Sequence, residues 1–442
     1  MVKELIYVHW KFEKFNYPLN ELHLMGKLAL FGGTQIRSKP FPPYPIISND
    51  EKQAVIDVLD SGNLSTFIAS PGENFLGGKK IQEFEADFSR YIGTKHAIAF
   101  NSATSALHAA VAAVGVKPGE EVIVPPYTFT STATSVLMHN AIPVFSDILD
   151  DTFCLDPKKL KNIISPLTKA ITPVHLFGHP CDMDEIIVFA KKHGLKIIED
   201  CAQAPGALYN GNKVGTIGDC GIFSFQETKN MMTGEGGMLV TNDAEIAKIA
   251  QMIRNHGEVL HPSDKKRTYK SEILGYGYRM TELEASIGIV QLRKLDKMNE
   301  ERIKLTYYLS KKLNKISGFH HTKHDYVKHV YYVFAFTYDE KIVGISRERF
   351  CEAMRAEGIP FFGGYVKPLY LNPLYQEKRG FAFKHYSGTA NYSKGICPIS
   401  ESLYEKKLIL TPVCRPPASI EDMNDIILAV EKIIENKNEL LN

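Results

Sequence analysis

No stretch of the chain is apolar for the roughly 20 residues that a membrane helix needs; the run from Ala106 to Val116 is far too short. Met1 to Trp10 is charged and lacks an apolar region followed by a small-residue cleavage site, so no signal peptide is expected. Neither charge sign is in excess. Lys plus Arg number 52 against 50 for Asp plus Glu, which gives +2 with neutral histidines. That balance creates no field directed at nucleic acid or an anionic membrane, and neither is expected as a partner. The seven cysteines (Cys154, Cys181, Cys201, Cys220, Cys351, Cys397 and Cys414) are odd in number and widely spaced, with no C-x-x-C. A disulfide framework and a zinc ribbon are therefore not indicated, and reduced thiols in a cytoplasmic protein are expected. Internal repeats and low-complexity tracts are also lacking. What remains is a globular composition, 44% apolar and 23% charged over 442 residues. It excludes a largely disordered chain and allows two or three domains.

From Tyr91 onward, short apolar runs alternate with longer amphipathic ones. Strands are expected at Lys95 to Phe100, Glu121 to Val124, Ile142 to Phe145, Lys169 to Pro173 and Leu195 to Asp200. Between them, helices are expected at Ser102 to Val114, Phe129 to Asn140 and Met183 to His193, the last stopped by Gly194. Wholly apolar strands separated by helices indicate a mainly parallel sheet covered on both faces, an α/β unit. Gly221 to Phe225 and Gly237 to Thr241 read as two short strands joined by a Gly-rich turn. A long helix, Met280 to Leu313, leaves this unit. Beyond it, His329 to Tyr338 reads as β, with helices at Arg347 to Glu357 and Ile420 to Glu435, a smaller α+β unit. The expected division is an extension at 1–27, a large domain at 28–290 and a C-terminal domain at 291–442.

The densest group of chemically capable residues runs from Glu199 to Gly237. Asp200 ends a strand, where ligands of open α/β sheets bind. Gln203 follows, then Ser224 at another strand end and Lys229 before a Gly-rich turn. A lone lysine is usually a solvated charge. Beside an apolar FSF run and few other cations, Lys229 can instead serve as an amine nucleophile toward a carbonyl. Asp200 alone would more often be a strand-end carboxylate; with such a lysine it can hold a pyridinium nitrogen protonated. The helix near Ser102 presents unpaired amides to a phosphate, with the Thr104 hydroxyl close by. Phe129, after a strand, could stack on a planar ring, although alone it would more often be core.

At this point the sequence resembles a known family. The segment IIEDCAQAPGALYNGNKVGTIGDCGIFSFQETKNMMTGEGGMLVTND is similar to the signature of the DegT/DnrJ/EryC1/StrS family of sugar aminotransferases, which use pyridoxal 5′-phosphate (PLP). FEADFSRYIGTKHAIAFNSATSALHAAVAAVGVKPGEEVIVPPYTFTSTATS, PVHLFGHPCDMDEI and YRMTELEASIGIVQL extend the likeness in order. It runs from about Leu28 into the C-terminal domain and loosens after His320. The resemblance implies PLP fold type I, with an aspartate aminotransferase-like large domain and a smaller C-terminal one. It implies Lys229 as the lysine that forms the Schiff base and shuttles the proton, and Asp200 as partner of the pyridine nitrogen. Gln203 would contact the phenolic oxygen, Ser224, Thr104 and the Ala103 backbone the phosphate, and Phe129 the ring face. It further implies an amino-acid donor, glutamate or glutamine, a keto-sugar acceptor, nucleotide-linked in the family's manner, and a homodimer. Arg279 and His329 are candidates for substrate contact on the same basis.

The chain departs from the family in places. Many members carry Asn where this chain has Gly277, in Gly275-Tyr276-Gly277-Tyr278-Arg279, which removes a side-chain donor to the partner subunit's phosphate. Thr66 to Gly78 and Thr411 to Ser419 look longer than usual. Some relatives are dehydratases with His in place of the lysine; Lys229 favours transamination. The opening LALFGGTQIRSKPFPPYP resembles members that act on cyclitol ketones of the scyllo-inosose type, which makes a free cyclitol an alternative acceptor. A dinucleotide fold is disfavoured, because Gly211, Gly215, Gly218 and Gly221 lack the G-x-G-x-x-G spacing and a following helix. No metal site is expected at His320, His321, His324 and His329, where only Asp325 adds an acid.

Overall fold

The computed structural model describes residues 26–67, 71–259, 266 and 269–441. The expected N-terminal extension lies outside them apart from its last two residues, and so does part of the stretch from Thr66 to Gly78. Seven strands build the central sheet: β1 (His96–Phe100), β2 (Glu121–Val124), β3 (Ile142–Phe145), β4 (Thr168–Ile171), β5 (Lys196–Asp200), β6 (Cys220–Ser224) and β7 (Gly237–Thr241). Their order is β1-β7-β6-β5-β4-β2-β3. Strands β3, β2, β4, β5 and β6 pair in parallel, and β7 runs against both its neighbours. No helix separates β6 from β7, so the chain turns back beside the strand it has just left.

Around the sheet lie α1 (Asn49–Ser61), α2 (Lys79–Ile92), α3 (Ala103–Ala113), α4 (Ser131–Met138), α5 (Met183–His193), α6 (Ala244–Arg254) and α7 (Glu282–Leu313). Alternate strand residues go to opposite faces. Ile98, Ile222 and Leu239 pack with Leu107, Ala110 and Ile253 of α3 and α6. Ala97, Phe223 and Met238 pack with Phe84 and Phe88 of α2 and Ile289 of α7. Gly288 does not interrupt α7. A Cβ there would meet the Phe84 ring at 2.5 Å, so the missing side chain lets α2 lie close.

The C-terminal unit has its own antiparallel sheet, in the order Phe319–His320, Phe334–Tyr338, Leu408–Thr411, Phe362–Gly363. Helices α8 (Arg347–Ala356) and α9 (Ile420–Glu435) cover it. Leu28, Leu30, Phe31, Ile36 and Phe41 pack into this core. Residues 28–41 thus lie on the C-terminal unit, although they precede the central sheet in sequence. Only Phe334–Tyr338 of the β-like run from His329 is sheet. The preceding backbone bonds elsewhere: Val330 N–H donates to the Gly178 carbonyl at 3.1 Å and Tyr332 N–H to that of Phe177 at 2.8 Å. This diversion brings a C-terminal segment to the edge of the central sheet. Among the described residues, no helix is long and apolar enough to cross a membrane.

Helix α7 carries α1 on its side through one buried carboxylate. Glu51 closes a capping box with Ser48. It also accepts hydrogen bonds from Lys294 Nζ at 2.8 Å and Gln291 Nε2 at 2.7 Å. Burial acts to raise its pKa, but the bonds from Lys294, Ser48 and Gln291 outweigh it and hold the carboxyl down at about 2. A depressed folded-state pKa gives stability that is complete above the ordinary carboxylate range and is lost as pH falls toward the folded value. Glu51→Gln is therefore expected to cost about 1.5–3 kcal/mol at pH 7. In thermal unfolding, the gap from wild type should shrink as pH falls below the unperturbed value of 4.5. A gap independent of pH would contradict this.

Candidate active site

The carboxyl ends of β1, β5 and β6 and the start of β7 meet at one edge of the sheet, and the candidate residues collect there. The α3 start is pressed against β7. A Cβ on Gly237 would lie 2.5 Å from the Ala103 nitrogen and the Ser102 carbonyl group, so only glycine allows this approach. Ser102 caps the helix by accepting from the Ser105 N–H at 3.1 Å. The Ala103 and Thr104 amides, one turn short of an intrahelical acceptor, point out of the positive end of the helix dipole. Ser224 pairs with Gly237 in the β6–β7 ladder, and Gly237 pairs with Phe100, just before α3. The three groups expected to hold a phosphate are thus neighbours across two strands.

Asp200 ends β5 and is 3% exposed. Thr132 Oγ1 donates to its Oδ2 at 2.8 Å, and the Ala202 N–H donates to Oδ1 at 3.1 Å. Burial raises the carboxyl above its ordinary range, and the two hydrogen bonds and the nearby Lys229 charge offset this only in part. A carboxylate so enclosed is suited to a cationic N–H partner. Lys229 sits in the β6–β7 connection, half-buried, with Nζ 4.4 Å from the centre of the Tyr332 ring. The Tyr332 hydroxyl lies 2.8 Å from Thr228 Oγ1, which fixes the ring beside the amine. The Lys229 carbonyl accepts from the Tyr44 hydroxyl. These groups fit PLP: open amides and a hydroxyl for its phosphate, a buried acid for its ring nitrogen, and an amine for its aldehyde.

Gln203 is buried, and its side chain is held on two sides. Its Oε1 accepts from the Phe177 N–H at 2.7 Å, and its Nε2 donates to the Tyr365 hydroxyl at 3.0 Å. The amide carries a second proton that Tyr365 does not use. Phe177 takes a left-handed φ of 56°, which turns its N–H toward Gln203. His329 bears on this arrangement from behind. Its Nε2 lies 3.1 Å from the Phe177 carbonyl, and its ring stacks on Tyr331 at 3.7 Å. His329 is thus not at the start of a strand, and its Nε2 is engaged by backbone. Phe129 precedes α4 rather than opening it, and its side chain is 56% exposed. Arg279 stands 5.7 Å from the Phe67 ring centre, and the Tyr278 carbonyl before it accepts from Asn101 N–H at the α3 entrance. Gly277 bridges to Asn255 and is absent from the positive-φ glycines; a Cβ there would meet the His256 ring at 3.4 Å.

Several residues of this site were not singled out from sequence. Thr132 lies within the T-S-T-A-T-S run, where one hydroxyl looks like another. Tyr44, Arg302, Tyr332 and Arg415 come from distant parts of the chain and carry no local motif. His175, Glu199 and Cys201 offer donor atoms within 4.8 Å of one another. Yet His175 Nδ1 accepts from the Cys181 N–H at 3.0 Å, so Nε2 carries the proton and donates to Glu199, also at 3.0 Å. Glu199 further accepts from the amides of Gly215, Ile217 and Gly218. This group is a clamp on the loop before β6, with its donors and acceptors already paired.

Comparison with known proteins agrees with the geometry. The model of the DegT/DnrJ/EryC1/StrS aminotransferase family matches residues 45–410. GDP-perosamine synthase of Caulobacter vibrioides is 42% identical over 274 residues, 62% of this chain and 70% of that protein. L-glutamine:2-deoxy-scyllo-inosose aminotransferase of Streptoalloteichus tenebrarius is 33% identical over 425 residues, covering 93% of this chain and 99% of that one. Among solved structures, DesI in the presence of its TDP-sugar product superposes with a TM-score of 0.78 at 27% identity, over 94% of this chain and 98% of its own. With a family match over most of its length, the chain belongs to the DegT/DnrJ/EryC1/StrS family and is a PLP-dependent aminotransferase.

Proposed function

We propose that the enzyme moves an amino group from glutamate or glutamine to a keto-sugar carried on a nucleotide, with Lys229 as the cofactor-bearing and proton-carrying amine. The observation that carries this reading is the placement, at one sheet edge, of the Lys229 amine within electrostatic reach of the buried Asp200 carboxylate. PLP supplies an electron sink for the pair left when a proton departs from the donor carbon. Asp200 keeps a proton on the ring nitrogen, so that the sink stays deep. Lys229 Nζ takes the proton from one carbon and returns it to another, a general-base and general-acid role that its position at the end of a mobile side chain allows. Ser224, Thr104 and the Ala103 amide hold the phosphate; Gln203 turns its free amide proton to the phenolic oxygen, and Phe129 covers the ring. Arg279 and His329 are assigned to the substrate side, His329 by way of the Phe177 peptide.

A nucleotide carrier is supported by relatives whose names include a GDP-sugar and a TDP-sugar. A cyclitol ketone is the second reading, favoured by the match to nearly the whole length of the scyllo-inosose aminotransferase. Dehydration is disfavoured by the retained Lys229. The working unit proposed is a cytoplasmic homodimer. Exposed apolar side chains, Leu64 and Leu274 among them, support a covered surface.

Borohydride treatment of the PLP-loaded protein should fix the cofactor to Lys229 alone; label on another lysine would overturn the assignment. The aminated cofactor form should be reconverted by a nucleotide-linked keto-sugar, whereas reconversion by an inosose alone would select the cyclitol reading. Gly237→Ala should shift the α3 start at a cost of about 1–3 kcal/mol and weaken PLP binding. Unchanged PLP affinity would detach that close approach from the phosphate site. Sedimentation should find a dimer, and a fully active monomer would refute it.

A further inference from the structure

Two guanidinium groups face the ring of Tyr44, whose hydroxyl donates to the Lys229 carbonyl. Arg302, on α7, is fully buried. Its Nη2 donates to the Tyr44 hydroxyl at 2.9 Å, while Nε and Nη1 have no hydrogen-bond partner among the described residues. Arg415, in the segment after Leu408–Thr411, is half-buried and lies 4.0 Å from the centre of the same Tyr44 ring. Burial lowers the pKa of both, and the Arg415 charge lowers that of Arg302 further; the phenols of Tyr44 and Tyr332 offset this in part. Among the described residues, no carboxylate pairs with either.

Buried like charges repel and lose hydration, so an uncompensated pair is costly unless an anion completes it. Guanidinium forks match carboxylates and phosphates. The location decides between these two. Tyr44 contacts both guanidiniums and the Lys229 carbonyl, and Tyr332 faces Lys229 Nζ. The pair is therefore tied directly to the residue that moves the proton. In an amino acid, the α-carboxylate is one bond from the reacting carbon. In a nucleotide sugar, the diphosphate is separated from the keto carbon by the sugar ring.

We propose that Arg415 and Arg302 form the subsite for the α-carboxylate of the amino-acid donor. Arg415, the outer group, meets the carboxylate; Arg302, behind Tyr44, orients the phenol and adds the second positive charge. The assignment rests on transamination through Lys229 but not on the identity of the donor, because every amino acid carries this carboxylate.

The test uses the PLP-loaded protein and glutarate, a carboxylate probe without an amine, titrated by calorimetry and by the cofactor absorption band. Wild type should bind glutarate. Arg415→Met should weaken that binding by about 10- to 100-fold, the value of one or two charge-assisted hydrogen bonds. Arg415→Lys should restore part of it, while PLP affinity stays the same. Arg302→Lys should weaken glutarate less; if that variant does not fold, Arg415→Met decides. No glutarate binding by wild type, or equal affinity in Arg415→Met, overturns the proposal. So does a loss in Arg415→Met that falls on uridine diphosphate instead of glutarate. If alanine rather than glutamate or glutamine aminates the wild-type cofactor, the donor reading fails separately. The subsite then stands if Arg415→Met raises the half-saturating alanine concentration, and falls if it does not.

Discussion

A carboxylate held out of water at the end of a strand is stable as an anion only if cations and hydrogen-bond donors surround it, and Asp200 sets that condition for the cleft. Thr132 and the Ala202 amide bind its oxygens, and the Lys229 amine contributes charge from the β6–β7 connection. A pyridinium N–H is the remaining partner that such an acid accepts without protonation. The fold delivers the other groups by its strand order. Because β7 turns back between β1 and β6, Gly237 stands between the α3 start and Ser224. The α3 start, Ser224 and Asp200 are thereby presented from adjacent strands.

Much of this was legible in the residues. The alternation of apolar runs and amphipathic segments gives the parallel strands and the helices between them, since burial on both faces leaves a continuous apolar signal. β2, β3, β7 and α5 have the expected limits. Asp200, Ser224 and Lys229 lie near one another in sequence, so a single segment displays them. The α3 start is marked by its cap and by the strand before it.

What was not legible depends on long-range contact. The run from His329 looks β-like, yet residues 329–333 bond to the Phe177–Gly178 turn instead of a sheet. Its apolar pattern cannot distinguish the two partners. His329 was expected to face substrate; its ring nitrogen is 3.1 Å from the Phe177 carbonyl, and Phe177 in turn donates to Gln203. Residues 28–41 read as the entrance to the first domain and pack on the last one, because Arg37 finds Asp422 and the Glu357 carbonyl there. Tyr44, Arg302 and Arg415 converge from three places more than a hundred residues apart, and no spacing rule links them.

The central claim is that Asp200 keeps the cofactor's ring nitrogen protonated. Nitrogen-15 magnetic resonance of the protein loaded with PLP labelled at the ring nitrogen measures this directly. The account predicts a pyridinium shift at neutral pH in wild type and a shift toward neutral pyridine in Asp200→Asn. The same shift in both proteins would contradict it.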